Sequence, residues 1–214
     1  MPTKPTKPAK PARPAKPTEP VLSFGGADEW RRWLTKHHAT SGGVLLRLGK
    51  KGAAKTVTYA EAVEVALCWG WIDGHKRALD AEAWLQRFTR RTATSQWSKI
   101  NCAKVEALIA GGAMQPPGLR EIERAKADGR WERAYDGART ATLPEDLAAA
   151  LQAIPGARAF FDALDGTNRY AILYRVQTAK KPETRTRRVA ELVAMCGRRE
   201  TLHPVRVARK PKQK

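Results

Sequence analysis

The sequence predicts an α+β protein: a small antiparallel sheet with helices in the N-terminal part, followed by an all-helical C-terminal module. Two patterns and their order point there. VLLRL at 44–48 and AWLQRFTR at 83–90 alternate, with one side chain facing in and the next facing out. That is the mark of a strand. From residue 95 onward, apolar residues instead recur at three- and four-residue spacing, the period of an amphipathic helix. Strands first and helices after them give an α+β arrangement or two subdomains.

The elements follow in order. Residues 1–20 are a Lys/Pro repeat, PTKPTKPAKPARPAKPTEP, with almost no apolar side chains. Proline fixes φ and removes a backbone donor, so this stretch is expected to be a disordered basic arm leaning toward polyproline II. The folded body begins near Val21. Asp28 is placed to cap a short helix bearing Trp30, Trp33 and Leu34, which Gly42-Gly43 brings to an end. After the 44–48 strand and its Gly/Lys-rich loop, Thr58 and Glu61 form a capping box. The helix it opens carries Tyr59, Val63, Ala66, Leu67 and Gly70 on its inner stripe. CWGWIDGHK leaves that helix, and 71–77 with 83–90 are expected to pair as an antiparallel hairpin closed at Asp80–Glu82.

The helical half is read in the same way. One helix carries Trp97, Ile100, Val105, Leu108 and Ile109, capped by Thr94 or Ser95, and the next carries Leu119, Ile122 and Ala125. A third opens at Pro144 with Leu147, Leu151 and Ile154 inward, and ARAFFDALDG forms a short fourth. Thr167 is placed as the cap of a helix with Ile172, Leu173 and Val176, and Pro182 begins the last, with Val189, Leu192, Val193 and Cys196 inward. The boundary is expected within 136–143. It separates an α+β domain at 21–140 from a helical module at 141–197, with a basic tail at 198–214.

The formal net charge is +19, from 40 Lys and Arg against 21 Asp and Glu. Residues 1–20 hold five basic side chains and one acid, and residues 198–214 hold seven and one. The body between them keeps 28 against 19, so it too is basic. Such a balance favours an anionic ligand or an acidic protein partner, or nucleic acid reached through the basic tails. A merely solvated basic surface is the competing reading.

No stretch approaches the roughly 18 apolar residues of a membrane helix, and no apolar segment of signal-peptide type follows the N-terminal basic residues. Cys68, Cys102 and Cys196 are far apart and form no CxxC, so neither a disulfide framework nor a zinc ribbon is expected. These features point to the cytoplasm. His75 and Cys68, seven residues apart, supply two ligands where zinc needs three or four. No GxSxG, HExxH or Walker pattern occurs, and the glycines of GGVLLRLGKKG precede a strand rather than a helix start. No cofactor, metal or catalytic activity is therefore assigned.

Asp73 and His75 are the weak catalytic candidates. On an alternating strand they would share a face with Trp71, and an Asp–His pair can set an imidazole tautomer. The alternative is an Asp-Gly turn, with Gly74 at positive φ. The stronger binding candidate is RFTRRTATSQWSKIN. There Arg87, Arg90 and Arg91 interleave with aromatic residues including Trp97, and Ser95 and Asn101 add hydrogen-bonding groups. Guanidinium with aromatic faces suits phosphates and bases, though a structural cap explains the same residues. AKKPETRTRR adds Lys180, Arg185 and Arg188 around a helix start, where cations oppose the macrodipole and imply an external anion or acids elsewhere on the surface. Trp30, Trp33, Trp69 and Trp84 fit a core, which leaves Trp97 and Trp131 as surface candidates.

The blocks YAEAVEVALCWGWIDG, RFTRRTATSQWSKIN and AKKPETRTRRVAEL, in this order, resemble the YdeI/OmpD-associated family, also called bacteriocin-protection proteins. The likeness is read over about 21–197, with 144–197 similar to the family's short helical module. The N-terminal part is similar to small α+β proteins of frataxin-like sheet-and-helix type. The resemblance implies a role in stress tolerance, in resistance to bacteriocins or cationic antimicrobial peptides, and in outer-membrane protein production. It implies no catalytic activity.

Overall fold

The computed structural model describes residues 19–204. Residues 1–18 of the arm expected at 1–20 and the end of the expected tail at 205–214 lie outside the described residues, while Glu19 and Pro20 are held on the sheet unit by Arg87 and the Leu45 amide. The described chain is α+β: four strands with two helices among them, then six consecutive helices. It divides into two compact units, residues 19–66 with 71–90 and residues 67–70 with 91–204.

The first unit holds β1 (Val21–Leu22), α1 (Ala27–His37), β2 (Val44–Gly49), β3 (Trp71–Ala78), β4 (Ala83–Arg90) and most of α2 (Tyr59–Cys68). The strand order is β1-β2-β4-β3, antiparallel except that β1 runs parallel to β2. At two residues, β1 is too short to show a period in the sequence. The hairpin and its junction with β2 form as the alternation predicts, and Asp80 Oδ1 closes the turn by accepting from the Glu82 and Ala83 amides at 2.7 Å.

Register places Val44 opposite Phe88, Leu46 opposite Gln86 and Leu48 opposite Trp84. Phe88 lies against Trp30 of α1, with ring centroids 5.8 Å apart, and Trp30 also meets Trp71 at 6.2 Å and Trp33 at 5.2 Å. Each such aromatic pair adds about 0.5–1.5 kcal/mol beyond its burial. The Trp30 indole donates to the Ala62 carbonyl at 3.1 Å, so this fully buried ring has no orphaned donor. Asp28 does not cap α1. Gly26 stands at the cap, and Asp28 pairs with Arg31 inside the first turn, where the helix dipole favours a carboxylate. The Thr58–Glu61 box is present: the Thr58 amide donates to Glu61 Oε2 at 2.9 Å and the Glu61 amide to Thr58 Oγ1 at 3.3 Å. Tyr59 departs from the expected inner stripe. It is the first helical residue, exposed, and turns its hydroxyl to Asp73.

The second unit contains α3 (Lys99–Ala110), α4 (Pro116–Ala127), α5 (Glu145–Ala153), α6 (Ala157–Ala163), α7 (Gly166–Gln177) and α8 (Pro182–Gly197). Two caps differ from expectation. Ser98, not Thr94 or Ser95, accepts from the Asn101 amide, and Asp165, not Thr167, accepts from the Asn168 amide. Because α3 starts at Lys99, its inner stripe is Cys102 and Val105, and Ile100 and Ile109 face solvent, as does Leu119 of α4. Helix α8 packs on α5, α6 and α7. Their shared core includes Leu147, Leu151, Phe161, Ile172, Val176, Leu192 and Cys196.

The division after Arg90 groups α3 and α4 with the later helices rather than with the sheet, where the sequence reading put them. Tyr135 and Asp136 link the start of α3 to α7. The Tyr135 amide donates to the Trp97 carbonyl and its carbonyl accepts from the Lys99 amide. The Asp136 amide donates to Gln177 and its carbonyl accepts from Tyr170, both on α7.

Gly118 on α4 marks the tightest approach within this unit. A Cβ there would fall on the Cys68 carbonyl. Gly118→Ala is expected to cost about 1–3 kcal/mol of stability as overpacking, measured by denaturant unfolding. Gly166→Ala, with open space around it, is expected to stay within about 0.5 kcal/mol of the parent. Equal effects would contradict the packing described.

Candidate anion-binding site

The expected binding block divides between the two units. Arg87 and Arg90 belong to the first, and Arg91, Ser95, Trp97 and Asn101 to the second. Each has a structural task. Arg87 Nε donates to both carboxylate oxygens of Glu19, at 2.8 and 3.0 Å. That hydrogen bond, opposed by burial and helped by the charges of Arg87, His75 and Arg77, holds the Glu19 carboxyl below the usual carboxylate range. Arg90 is exposed and donates to the Ala39 carbonyl at 2.9 Å.

Arg91 and Trp97 are corrections to the expected surface. Arg91 is 5 % exposed, its guanidinium carbon lies 3.5 Å from the centroid of the Trp97 ring, and Nη1 donates to the Gln96 carbonyl. Trp97 is 2 % exposed. A guanidinium stacked on an indole face buries both surfaces while cation–π attraction offsets part of the desolvation. Ser95 closes a turn by accepting from the Thr92 amide at 2.9 Å, and its carbonyl accepts from Arg130. Arg130 is itself buried, with Nε on Asp128. The Asn101 amide serves the Ser98 cap. Trp131 is half-buried against Trp97, their centroids 5.0 Å apart.

Asp73 and His75 are not drawn together as a catalytic pair. A register shift between Asp73 and Lys76 breaks the alternation that would have aligned them. Asp73 accepts from the Tyr59 hydroxyl at 2.7 Å, and His75 is exposed. Gly74 is not at positive φ, so the Asp-Gly turn is absent too; its carbonyl accepts from buried Gln86 at 2.7 Å. Among the described residues, no group of three or more His, Cys, Asp and Glu could hold a metal.

The cations at the start of α8 find partners on neighbouring helices. Arg185 donates through Nε and Nη2 to both Asp146 oxygens, at 2.7 and 2.8 Å, and through Nη1 to the Val176 carbonyl at 3.2 Å. Arg188 Nη1 donates to the Arg175 carbonyl at 2.6 Å. Two carbonyls in the last turn of α7 thus accept from guanidinium groups of α8, which offsets the expected conflict with the dipole. Lys180 is exposed.

Beside this junction lies a groove of about 520 Å³. Arg175 of α7, Arg187 and Arg188 of α8, and Arg198 line it over a floor formed by Leu192, Met195 and Leu202. Glu191 and Glu200 answer two of the four arginines, pairing with Arg187 at 3.2 Å and Arg198 at 2.8 Å. Both pairs are well exposed, so solvent screens them and they yield readily to a stronger anion. Arg175 is exposed and makes no ion pair among the described residues. The groove can hold an anion in guanidinium forks above an apolar floor.

Arg187 and Arg188 stand in the AKKPETRTRR block and Leu192 on the apolar stripe of the last helix, while Arg198 belongs to the expected tail. Arg175 carried no signal, because its neighbours in the groove come from a helix that turns back on α7.

Residues 140–199 match the family model described as "Bacteriocin-protection, YdeI or OmpD-Associated", and residues 22–121 match one described as "Domain of unknown function (DUF8412)". The C-terminal segment thus bears the resemblance read in the sequence, as a partial match. Of the three blocks that suggested it, only AKKPETRTRRVAEL falls within 140–199; the other two fall within 22–121. Searches of curated proteins and of solved structures found no match.

Two outcomes are expected. Asp146 sits below its usual value of 3.8, chiefly through the hydrogen bond from Arg185. A lowered folded pKa adds stability above the unfolded value that is lost as pH falls through the folded one. The difference in melting temperature between the parent and Asp146→Asn should therefore be full above about pH 5 and close at lower pH. Second, Arg91→Glu should cost about 3 kcal/mol or more by burying an unpaired charge, and Arg90→Glu under 1; equal losses in chemical denaturation would contradict the placement of Arg91.

Proposed function

We propose that the protein is a non-enzymatic binding protein of the cytoplasm whose α7–α8 groove receives an anionic ligand or an acidic partner. The observation that carries this is the set of four arginines over an apolar floor, two of them answered by carboxylates. The groove lies largely in the segment that matches the bacteriocin-protection family, so binding there is proposed to serve stress tolerance and protection against bacteriocins or antimicrobial peptides. Three buried free cysteines support a reducing compartment, and no helix among the described residues is long and apolar enough to cross a membrane.

Tripolyphosphate tests the reading. A ligand at one hundred times its Kd stabilises the folded state by about 2.7 kcal/mol. The parent's melting temperature should rise with tripolyphosphate, and the rise should be lost in Arg175→Glu/Arg187→Glu. A parent that does not respond, or a variant that responds equally, would sink the proposal.

A further inference from the structure

Helix α7 borders a second groove, of about 510 Å³, and this one is aromatic. Tyr170 and Tyr174 line it with ring centroids 6.0 Å apart. Both rings are braced. The Tyr170 hydroxyl donates to the Asp136 carbonyl at 3.0 Å, and Tyr174 stands edge-on to Tyr135 at 4.9 Å. Arg139 adds a cation, and no carboxylate lines this groove.

The tyrosine and arginine grooves share lining from two segments, α7 and the stretch after α8. Tyr174 and Arg175 are consecutive in α7, and Leu202 and His203 are consecutive in the segment after α8. Asn168, 1 % exposed, clips that segment: its Oδ1 accepts from the His203 amide at 2.9 Å and its Nδ2 donates to the His203 carbonyl at 3.2 Å. Leu202 is thereby held in the arginine groove and His203 in the tyrosine groove.

We infer that the two grooves together bind single-stranded nucleic acid, with phosphates on the arginines and bases on the tyrosine rings. The inference rests on the anion-binding reading and names its ligand. Guanidinium forks match phosphate oxygens, and bases stack on aromatic rings without regard to sequence. A duplex keeps its base faces stacked inside, so only an unpaired strand can use the rings. An acidic peptide would need the arginines but not a carboxylate-free tyrosine groove.

The test is fluorescence anisotropy of labelled oligo-dT (about 12 nucleotides, within the usual single-strand site size) with the full chain across a salt series. Arg175→Glu/Arg187→Glu should weaken binding at least tenfold and flatten the salt dependence. Tyr174→Leu should weaken it about tenfold, one lost stacking contact, with the salt slope unchanged. Arg139→Glu tests the same groove from an exposed position should Tyr174→Leu fail to fold. Arg32→Glu/Lys36→Glu, an equal charge change at two exposed residues that line neither groove, should stay within about twofold. A control as damaging as the groove pair would overturn the inference, as would duplex bound as tightly as single strand. Binding of polyglutamate but not oligo-dT would overturn it while leaving the anion-binding reading standing; binding of neither would overturn both.

Discussion

Arg185 ties three helices together. Its guanidinium reaches Asp146 on α5 and the Val176 carbonyl near the end of α7 while its own backbone lies in the first turns of α8. A helix C-terminus leaves carbonyls without partners, and a helix N-terminus repels cations. Folding α8 back against α7 sets the cations of one helix against the carbonyl end of the other, which offsets their repulsion from their own helix start. Arg188 repeats the device on the Arg175 carbonyl. With the junction held from inside, Arg175, Arg187 and Arg198 remain on the outer side above Leu192 and Met195, two core residues that also floor the groove. The proposed binding surface is thus a by-product of how the helical core closes.

The sheet unit is held by different means. Its core is an aromatic cluster of Trp30, Trp33, Trp71 and Phe88, with the Trp30 indole satisfied by a helix carbonyl. On the sheet itself, Glu19 is fixed on Arg87. An arginine that the sequence offers for anion binding is therefore occupied by the chain's own carboxylate. Arg91, stacked on Trp97, is occupied in another way. Much of the basic character between residues 87 and 101 holds the protein together.

Patterns governed by local physics were legible in the sequence. The alternation of β2 and β4 and the capping box at Thr58 depend on neighbours a few residues away, and each is found. The order of strands and helices was legible for the same reason. Features set by distant partners were hidden. Nothing near Trp97 announces that Arg91 will stack on it and close it from solvent, since arginine beside aromatic residues describes both a nucleic-acid surface and a buried cation–π pair. The bulge that separates Asp73 from His75 depends on the partner strand. The groove is assembled from residues up to 27 positions apart, Arg175 to Leu202, across a helix reversal. Tyr170 and Tyr174 did carry a local signal, four residues apart on one helix face, but only the fold places them beside arginines.

The α7–α8 surface is proposed to be the place where an anionic polymer is held. NMR of the arginine side-chain Nε–H groups during titration with oligo-dT tests this most directly, because it reports each guanidinium separately. The account predicts early, saturating shifts at Arg175, Arg187 and Arg198, with Arg31, Arg32 and Arg158 unmoved. Shifts spread evenly over exposed arginines, or confined to residues outside this surface, would contradict it.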